Sequence, residues 1–276
     1  MKLKGFSGCK LDIIENGTKK FVKKMSANEN YNVRLQRQQL KQSNLILNGF
    51  KACHVYDFGT EDGLFYFVMD YVQGKTLAEE MFNINLYKID SLSEKLLNHA
   101  INYEKPNYDA ELIFDKKISD LHKNLFRVTR LNEIFLMLKN FSWQYVIPSK
   151  CHGDLTLENI IISEDNLTPI DYLDSFYDSW MIDAAKILQD ADIMWSYRYA
   201  KINSNLIVRL TVMRDLIIKK IKAMHMGGEL LETVYMLLLL NLVRIYPYVK
   251  DCRTENFLNA KVAYIANKIK NREWEG

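Results

Sequence analysis

Cys151-His152-Gly153-Asp154-Leu155-Thr156-Leu157-Glu158-Asn159-Ile160-Ile161-Ile162, followed closely by Pro169-Ile170-Asp171-Tyr172-Leu173-Asp174, is the most informative stretch of this chain. It sets an Asp, an Asn and a second Asp at short intervals around two apolar, strand-like runs. Oxygen side chains so spaced suit phosphoryl transfer from a metal-bound nucleotide. One carboxylate orients the attacking hydroxyl, and hard oxygen ligands hold Mg²⁺ against the phosphates. Ile160-Ile161-Ile162 and Leu167-Thr168-Pro169-Ile170 flank Ser163-Glu164-Asp165-Asn166. That pattern predicts a short hairpin carrying Asn159 at one end and Asp171 at the other.

Upstream, residues 2–25 alternate apolar and polar around breaks at Gly5-Phe6-Ser7-Gly8 and Asn16-Gly17, which predicts three strands joined by tight turns. From about 27 to 44 the chain is rich in Asn, Gln and Arg, with Val33, Leu35 and Leu40 spaced for one face of a polar helix lying on that sheet. His54–Phe58 and Leu64–Tyr71, separated by Gly59-Thr60-Glu61-Asp62-Gly63, predict a second hairpin and bring the sheet to five strands. After Gly74 the strand signal stops. Residues 76–145 read as helices with a polar joint around Asn102–Asn107, Pro148 breaks the pattern, and further helices are expected near 181–200, 205–225, 228–247 and 255–271. The expected class is α+β: a small five-stranded antiparallel sheet plus helix in residues 1–72, then a larger, mainly helical lobe in residues 73–276.

Composition narrows the function classes. At 276 residues with 48% hydrophobic residues the chain can bury a sizeable core. A net charge of +3 is too small to imply a nucleic-acid or membrane partner, and none is expected. The charge is unevenly spread: Lys19, Lys20, Lys23, Lys24, Arg34, Arg37 and Lys41 crowd the early chain and the acids collect later, an arrangement that suits a polyphosphate held between them. The run Val234–Val243 is interrupted by Asn241 and ends at Arg244, short of the roughly 20 residues of a membrane span. It reads as a buried helix. The basic N-terminus lacks a long apolar segment, so the cytoplasm is the expected compartment. Cys9, Cys53, Cys151 and Cys252 are scattered without a CxxC pair, which argues against a zinc site or a disulfide framework.

Laid out in order, the glycine-bearing strand turn, a Lys on the third strand, a helix, the strand ending Val68-Met69-Asp70-Tyr71, then His152-Gly153-Asp154, Asn159 and Ile170-Asp171, the chain resembles the aminoglycoside phosphotransferase and choline kinase type of small-molecule kinase. The resemblance spans residue 5 to about residue 190 and implies a bilobal, protein-kinase-like fold. Similar sequences also occur in bacterial capsule or surface-polysaccharide settings. By resemblance Asp154 matches the catalytic Asp, and Asn159 and Asp171 match the two Mg²⁺ ligands. Lys24, with Lys23 as its rival on the opposite strand face, matches the lysine that pairs with ATP phosphates. The usual Glu partner of that lysine is missing: the helix offers Gln36, Gln38, Gln39 and Gln42 instead, with Glu29 only near its start. Ser7 and Gly8 would touch phosphate, and the main chain of Asp70 and Val72 would hold the purine.

Taken singly, Asp154 reads as a turn residue after Gly153 and Asn159 as a strand cap; together, in this order and with Asp171, they read as catalytic. His152 is read as a packed structural residue and Asp183 as a brace for the loop. Gly153 stands where protein kinases commonly place Arg, and no Ala-Pro-Glu segment follows Asp171, which points to a small-molecule acceptor rather than a regulated protein kinase. Asp174, Asp178, Gln189, Asp190, Asp192, Trp195, Tyr197 and Tyr199 form an acidic and aromatic group expected near the acceptor, with Asp190 and Trp195 as the named substrate-binding candidates. The expected activity is ATP- and Mg²⁺-dependent phosphorylation of a hydroxyl on a sugar or amino alcohol. The rival reading is a nucleotide-binding pseudokinase or scaffold without turnover.

Overall fold

Four antiparallel strands in the order β1-β2-β4-β3 form the first sheet: β1 (Lys10–Asn16), β2 (Lys19–Met25), β3 (Val55–Glu61) and β4 (Leu64–Asp70). The fold is that of a computed structural model, which describes residues 8–101, 109–164 and 166–274. The expected strand before Gly5, Ser7 itself and the polar joint at Asn102–Asn107 lie outside the described residues, so the expected five strands become four among them. The expected loop at Gly59–Gly63 is shorter than the composition suggested. Strand β3 runs on through Glu61, and only Asp62 and Gly63 turn the chain, both at positive φ as a tight hairpin requires.

Helix α1 (Asn32–Asn44) packs on this sheet, but not on the face the leucines suggested. Leu35 is fully buried, whereas Val33 and Leu40 are 58% and 59% exposed. The rest of the buried face is Gln38, Gln39 and Gln42. Their burial is tolerable because the amides find partners: Gln42 Nε2 donates to the Cys53 carbonyl at 3.1 Å, and Gln39 Nε2 to Ser43 Oγ at 2.9 Å. Around Leu35, the residues Val22, Phe65, Phe67 and Met69 form a small core separate from the main one.

The chain then adds β5 (Lys75–Thr76), a short strand not foreseen, followed by α2 (Leu77–Glu80), α3 (Leu86–Leu96), α4 (Asp109–Leu125) and α5 (Asn132–Asn140). Strand β5 pairs with β6 (Ile160–Ser163), which pairs with β7 (Asn166–Pro169), so the predicted hairpin belongs to a three-stranded sheet. Helices α6 (Trp180–Ala191), α7 (Ser204–Lys222), α8 (Gly227–Val243) and α9 (Cys252–Lys270) complete the larger core. The segment Gly227–Tyr248 is long and apolar enough to cross a membrane by length and composition, a stronger signal than the interrupted run implied. It is also 72% buried inside the protein, with α6, α7 and α9 packed against it.

Candidate active site

The loop 151–159 hangs from one face of α6. Asp183, in the first turn of that helix and wholly buried, accepts the His152 N–H at 2.7 Å on one oxygen and the Gly153 N–H at 2.8 Å on the other. His99 Nε2 also meets it, at 3.1 Å. Three residues further along, Lys186 places its ammonium 2.9 Å from Asp154 Oδ1. Four residues beyond that, Asp190 accepts the Leu157 N–H at 2.7 Å and the Ser196 N–H at 2.8 Å. Spacings of three and four keep all three side chains on one helix face, so α6 fixes the loop at successive points.

This arrangement corrects the reading of Asp190 as a substrate ligand. It is fully buried and both its oxygens are engaged by backbone amides. Burial raises its pKa above the ordinary carboxylate value, with the two amide bonds opposing the shift. Lys186 was not among the expected site residues, although its place one turn beyond Asp183 was a usable signal.

His152 is buried and its protonation can be read from its bonds. Asp154 N–H donates to Nδ1 at 3.2 Å, which leaves Nε2 to donate to the Ile170 carbonyl at 2.9 Å. Burial pushes its pKa below the usual histidine value, so the ring is neutral and its role is structural. Gly153 has φ +89°, and a Cβ there would lie 2.4 Å from Ser175 Oγ and 2.6 Å from the Leu173 carbonyl. A side chain does not fit between the loop and the segment after Asp171.

Asp154 is about a third exposed, which leaves it open to solvent beside its fixed neighbours. Burial alone would raise its pKa, but Lys186, by charge and by hydrogen bond, holds it below the ordinary value. Asn159 Nδ2 donates to the Asp154 carbonyl at 2.8 Å and reaches its carboxylate at 3.2 Å. The carboxylate is therefore ionised and oriented, the state a group that takes a hydroxyl proton needs.

Between the two sheets lies a cavity of about 450 Å³. Leu11, Val22 and Met69 from the first sheet, Ile161 from the second and Ile170 just after β7 line its apolar part, while Lys24, Asn159 and Asp171 form a polar end. Strand alternation separates the two lysines. Lys24 is 3% exposed, with its ammonium 2.5 Å from Asp171 Oδ1 and 3.2 Å from Gln38 Oε1. Lys23 points the other way, pairs with Glu61 and lies over the Tyr66 ring. Of the four helix glutamines, Gln38 is thus the one that partners Lys24.

Asp70, Tyr71 and Val72 line the same cavity. The Asp70 carboxylate is turned outward, accepting from the His54 N–H at 2.9 Å and the Tyr56 hydroxyl at 2.8 Å, and its own N–H donates to the His54 carbonyl at 3.0 Å, so that amide is not open to a ligand. Gly8, at φ +76° just before β1, is not among the lining residues. Glu158 is, and burial together with the charge of Asp190 pushes its carboxyl up to about 7.

The described residues hold no group of three His, Cys, Asp or Glu side chains able to cage a metal. Beside Lys24 the cavity lining offers the Asp171 carboxylate and the Asn159 amide oxygen. Such a set fits Mg²⁺, which binds through one or two protein oxygens and completes its shell from phosphates and water.

The remaining members of the acidic and aromatic group disperse. Asp174 pairs with Arg37 at 3.3 Å, and Asp178 pairs with Lys41 at 2.7 Å. Asp192 is buried against Lys268 at 2.7 Å and the Tyr235 hydroxyl at 2.9 Å. Trp195 stacks with the Arg198 guanidinium at 4.1 Å and packs edge-on to Phe257 at 6.0 Å, while its neighbours Ser196 and Tyr197 line the 450 Å³ cavity.

No family model and no curated protein matches this sequence. Solved structures do resemble it. The aminoglycoside phosphotransferase APH(4)-Ia, in a ternary complex with AMP-PNP and hygromycin B, has a TM-score of 0.59 at 12% identity over 98% of this chain and 91% of its own. A protein assigned as a fructosamine-3-kinase from Haemophilus somnus 129PT has a TM-score of 0.58 at 13% identity, over 98% and 90%. The choline kinase LicA from Streptococcus pneumoniae has a TM-score of 0.51 at 17% identity, over 96% and 92%. The chain has the fold of these small-molecule kinases.

Proposed function

We propose that this chain is an ATP-dependent kinase that phosphorylates a hydroxyl of a small polar molecule, a sugar or amino alcohol. Residues 1–72 would serve as its nucleotide-binding lobe and 73–276 as its catalytic and acceptor lobe. The observation that carries the reading is the convergence of Lys24, Asn159 and Asp171 on one cavity wall, with Asp154 held beside them by Asn159 and Lys186. In this reading the acceptor hydroxyl attacks the γ-phosphorus of ATP. The new O–P bond forms as the bond to the bridging oxygen breaks, ADP leaves, and the hydroxyl proton passes to Asp154. Lys24 exchanges Asp171 for phosphate oxygens, and Asp171 is freed to face the metal. Mg²⁺, when bound by Asn159 and Asp171, would neutralise phosphate charge. A cytoplasmic location and a link to bacterial surface-polysaccharide metabolism belong to the same proposal.

The test is phosphoryl transfer from Mg-ATP across a panel of sugars and amino alcohols, with the Asp154→Asn variant beside it. The variant should lose turnover by about 10²-fold or more while keeping nucleotide affinity. ATP-dependent thermal stabilisation with no turnover on any acceptor would favour the pseudokinase reading, for which Gln38 in place of Glu is the motivating feature.

A further inference from the structure

Asp154 is bonded to Asn159 of the cavity lining, and its carboxylate also feels the positive charge of Arg244. Ser175 closes on Gly153, and the next residue, Phe176, presents its ring to two cations. The Arg244 guanidinium, at the end of α8, lies 5.1 Å from the ring centroid, and the Lys117 ammonium, on α4, lies 5.6 Å from it. Arg244 donates to Asn241 Oδ1 at 3.1 Å, a neutral partner. Neither cation forms an ion pair with a carboxylate among the described residues.

The two are close enough to disturb one another. Burial lowers the pKa of both; the charge of Arg244 lowers that of Lys117 further, with Asp120 opposing, while Asp154 opposes the shift of Arg244. Exposed Arg34, reaching down from α1, adds its charge to the same side. The carboxylates whose charge reaches this face are Asp154, itself ion-paired with Lys186, and Asp120, which forms no ion pair with Lys117. Partly buried cations that make no ion pair are costly, and a ligand anion would relieve that cost.

We infer that the acceptor is an anionic sugar, its carboxylate or phosphate held by Arg244 and Lys117 while its hydroxyl meets Asp154. The inference rests on the kinase reading above and narrows its acceptor. An aminoglycoside- or choline-like cation would meet like charge on this face.

The full chain with Mg-ATP is offered glucuronate, glucose 1-phosphate, glucose and glucosamine, and transfer is followed by ADP release. The anionic sugars should show kcat/KM about tenfold or more above glucose and glucosamine, and whichever of the two leads identifies carboxylate or phosphate as the anchor. Arg244→Met and Lys117→Met should each lower kcat/KM for them by about tenfold through the sugar KM, with KM for ATP within about twofold. Preference for glucose or glucosamine overturns the anionic assignment and leaves the kinase reading standing. If no sugar turns over, calorimetry of the two anionic sugars on the AMP-PNP-loaded protein decides. Binding weakened by Lys117→Met, a surface-helix variant that removes no hydrogen bond, supports the assignment, and no binding overturns it. Failure of Mg-ATP itself to bind would instead bring down the kinase reading.

Discussion

Lys186 and Asp154 form an ion pair at 2.9 Å, one helical turn beyond the carboxylate that anchors the loop. The lysine therefore acts on the proposed base directly, fixing both its charge and its position. Lys186→Met should lower kcat by about 10²-fold while KM for ATP changes by about twofold or less, and Lys186→Arg should recover part of the loss. Equal kcat in Lys186→Met and wild type would remove the lysine from the mechanism.

Gln38 is the helix partner of Lys24. Gln38→Ala removes the amide oxygen from a buried ammonium and leaves Asp171 as its remaining partner. The expected cost is about 1–3 kcal/mol of stability, with KM for ATP raised several-fold. Chemical denaturation and initial-rate kinetics read the two effects separately, and an unchanged KM would show that Gln38 does not set the lysine.

Gly153→Ala forces a side chain into a left-handed backbone position and against the Leu173 carbonyl. Each strained position of this kind costs about 1–3 kcal/mol. Melting temperature should drop and turnover should fall with it, because relief of the clash moves Asp154. A variant as stable and as active as the wild type would contradict the close approach described.

Glu158 gives a pH dependence with a defined sign. Its carboxyl sits at about 7 in the fold against an ordinary 4.5, so the fold favours the protonated form. The associated stability is fully present below pH 4.5 and is lost as pH rises through about 7. Without metal and nucleotide, Glu158→Gln should melt close to the wild type at about pH 5 and a few degrees above it at about pH 8. An identical gap at both pH values would place the titration elsewhere.

The residues legible in advance were those whose meaning depends on local spacing. Asp154, Asn159 and Asp171 lie near one another along the chain, so the hairpin between the latter two could be drawn without knowing what it packed against. The orientation of Lys24 and Lys23 was decided by strand parity, which a sequence supplies only up to a choice of face. Asp190 was misread because an acid in a helix beside aromatic residues reads the same whether it faces a ligand or caps a buried turn. Its partners, Leu157 and Ser196, come from segments that meet it only through packing. Helix α1 misled for a related reason: leucine is the ordinary marker of a buried face, and here three glutamines with specific partners occupy it. Arg244, far from the motif in sequence, carried no signal at all.

Lys41 joins α1 to the segment after Asp171. From α1 its ammonium reaches the Leu173 carbonyl at 3.0 Å, Ser175 Oγ at 3.3 Å and Asp178 at 2.7 Å, and Arg37 adds its pairing with Asp174 on the same side. Helix α1 is thus tied to residues 173–178, outside the cavity lining. In the proposed kinase, a nucleotide that entered by parting the two sheets would have to break these bonds or turn about them, which makes α1 the pivot.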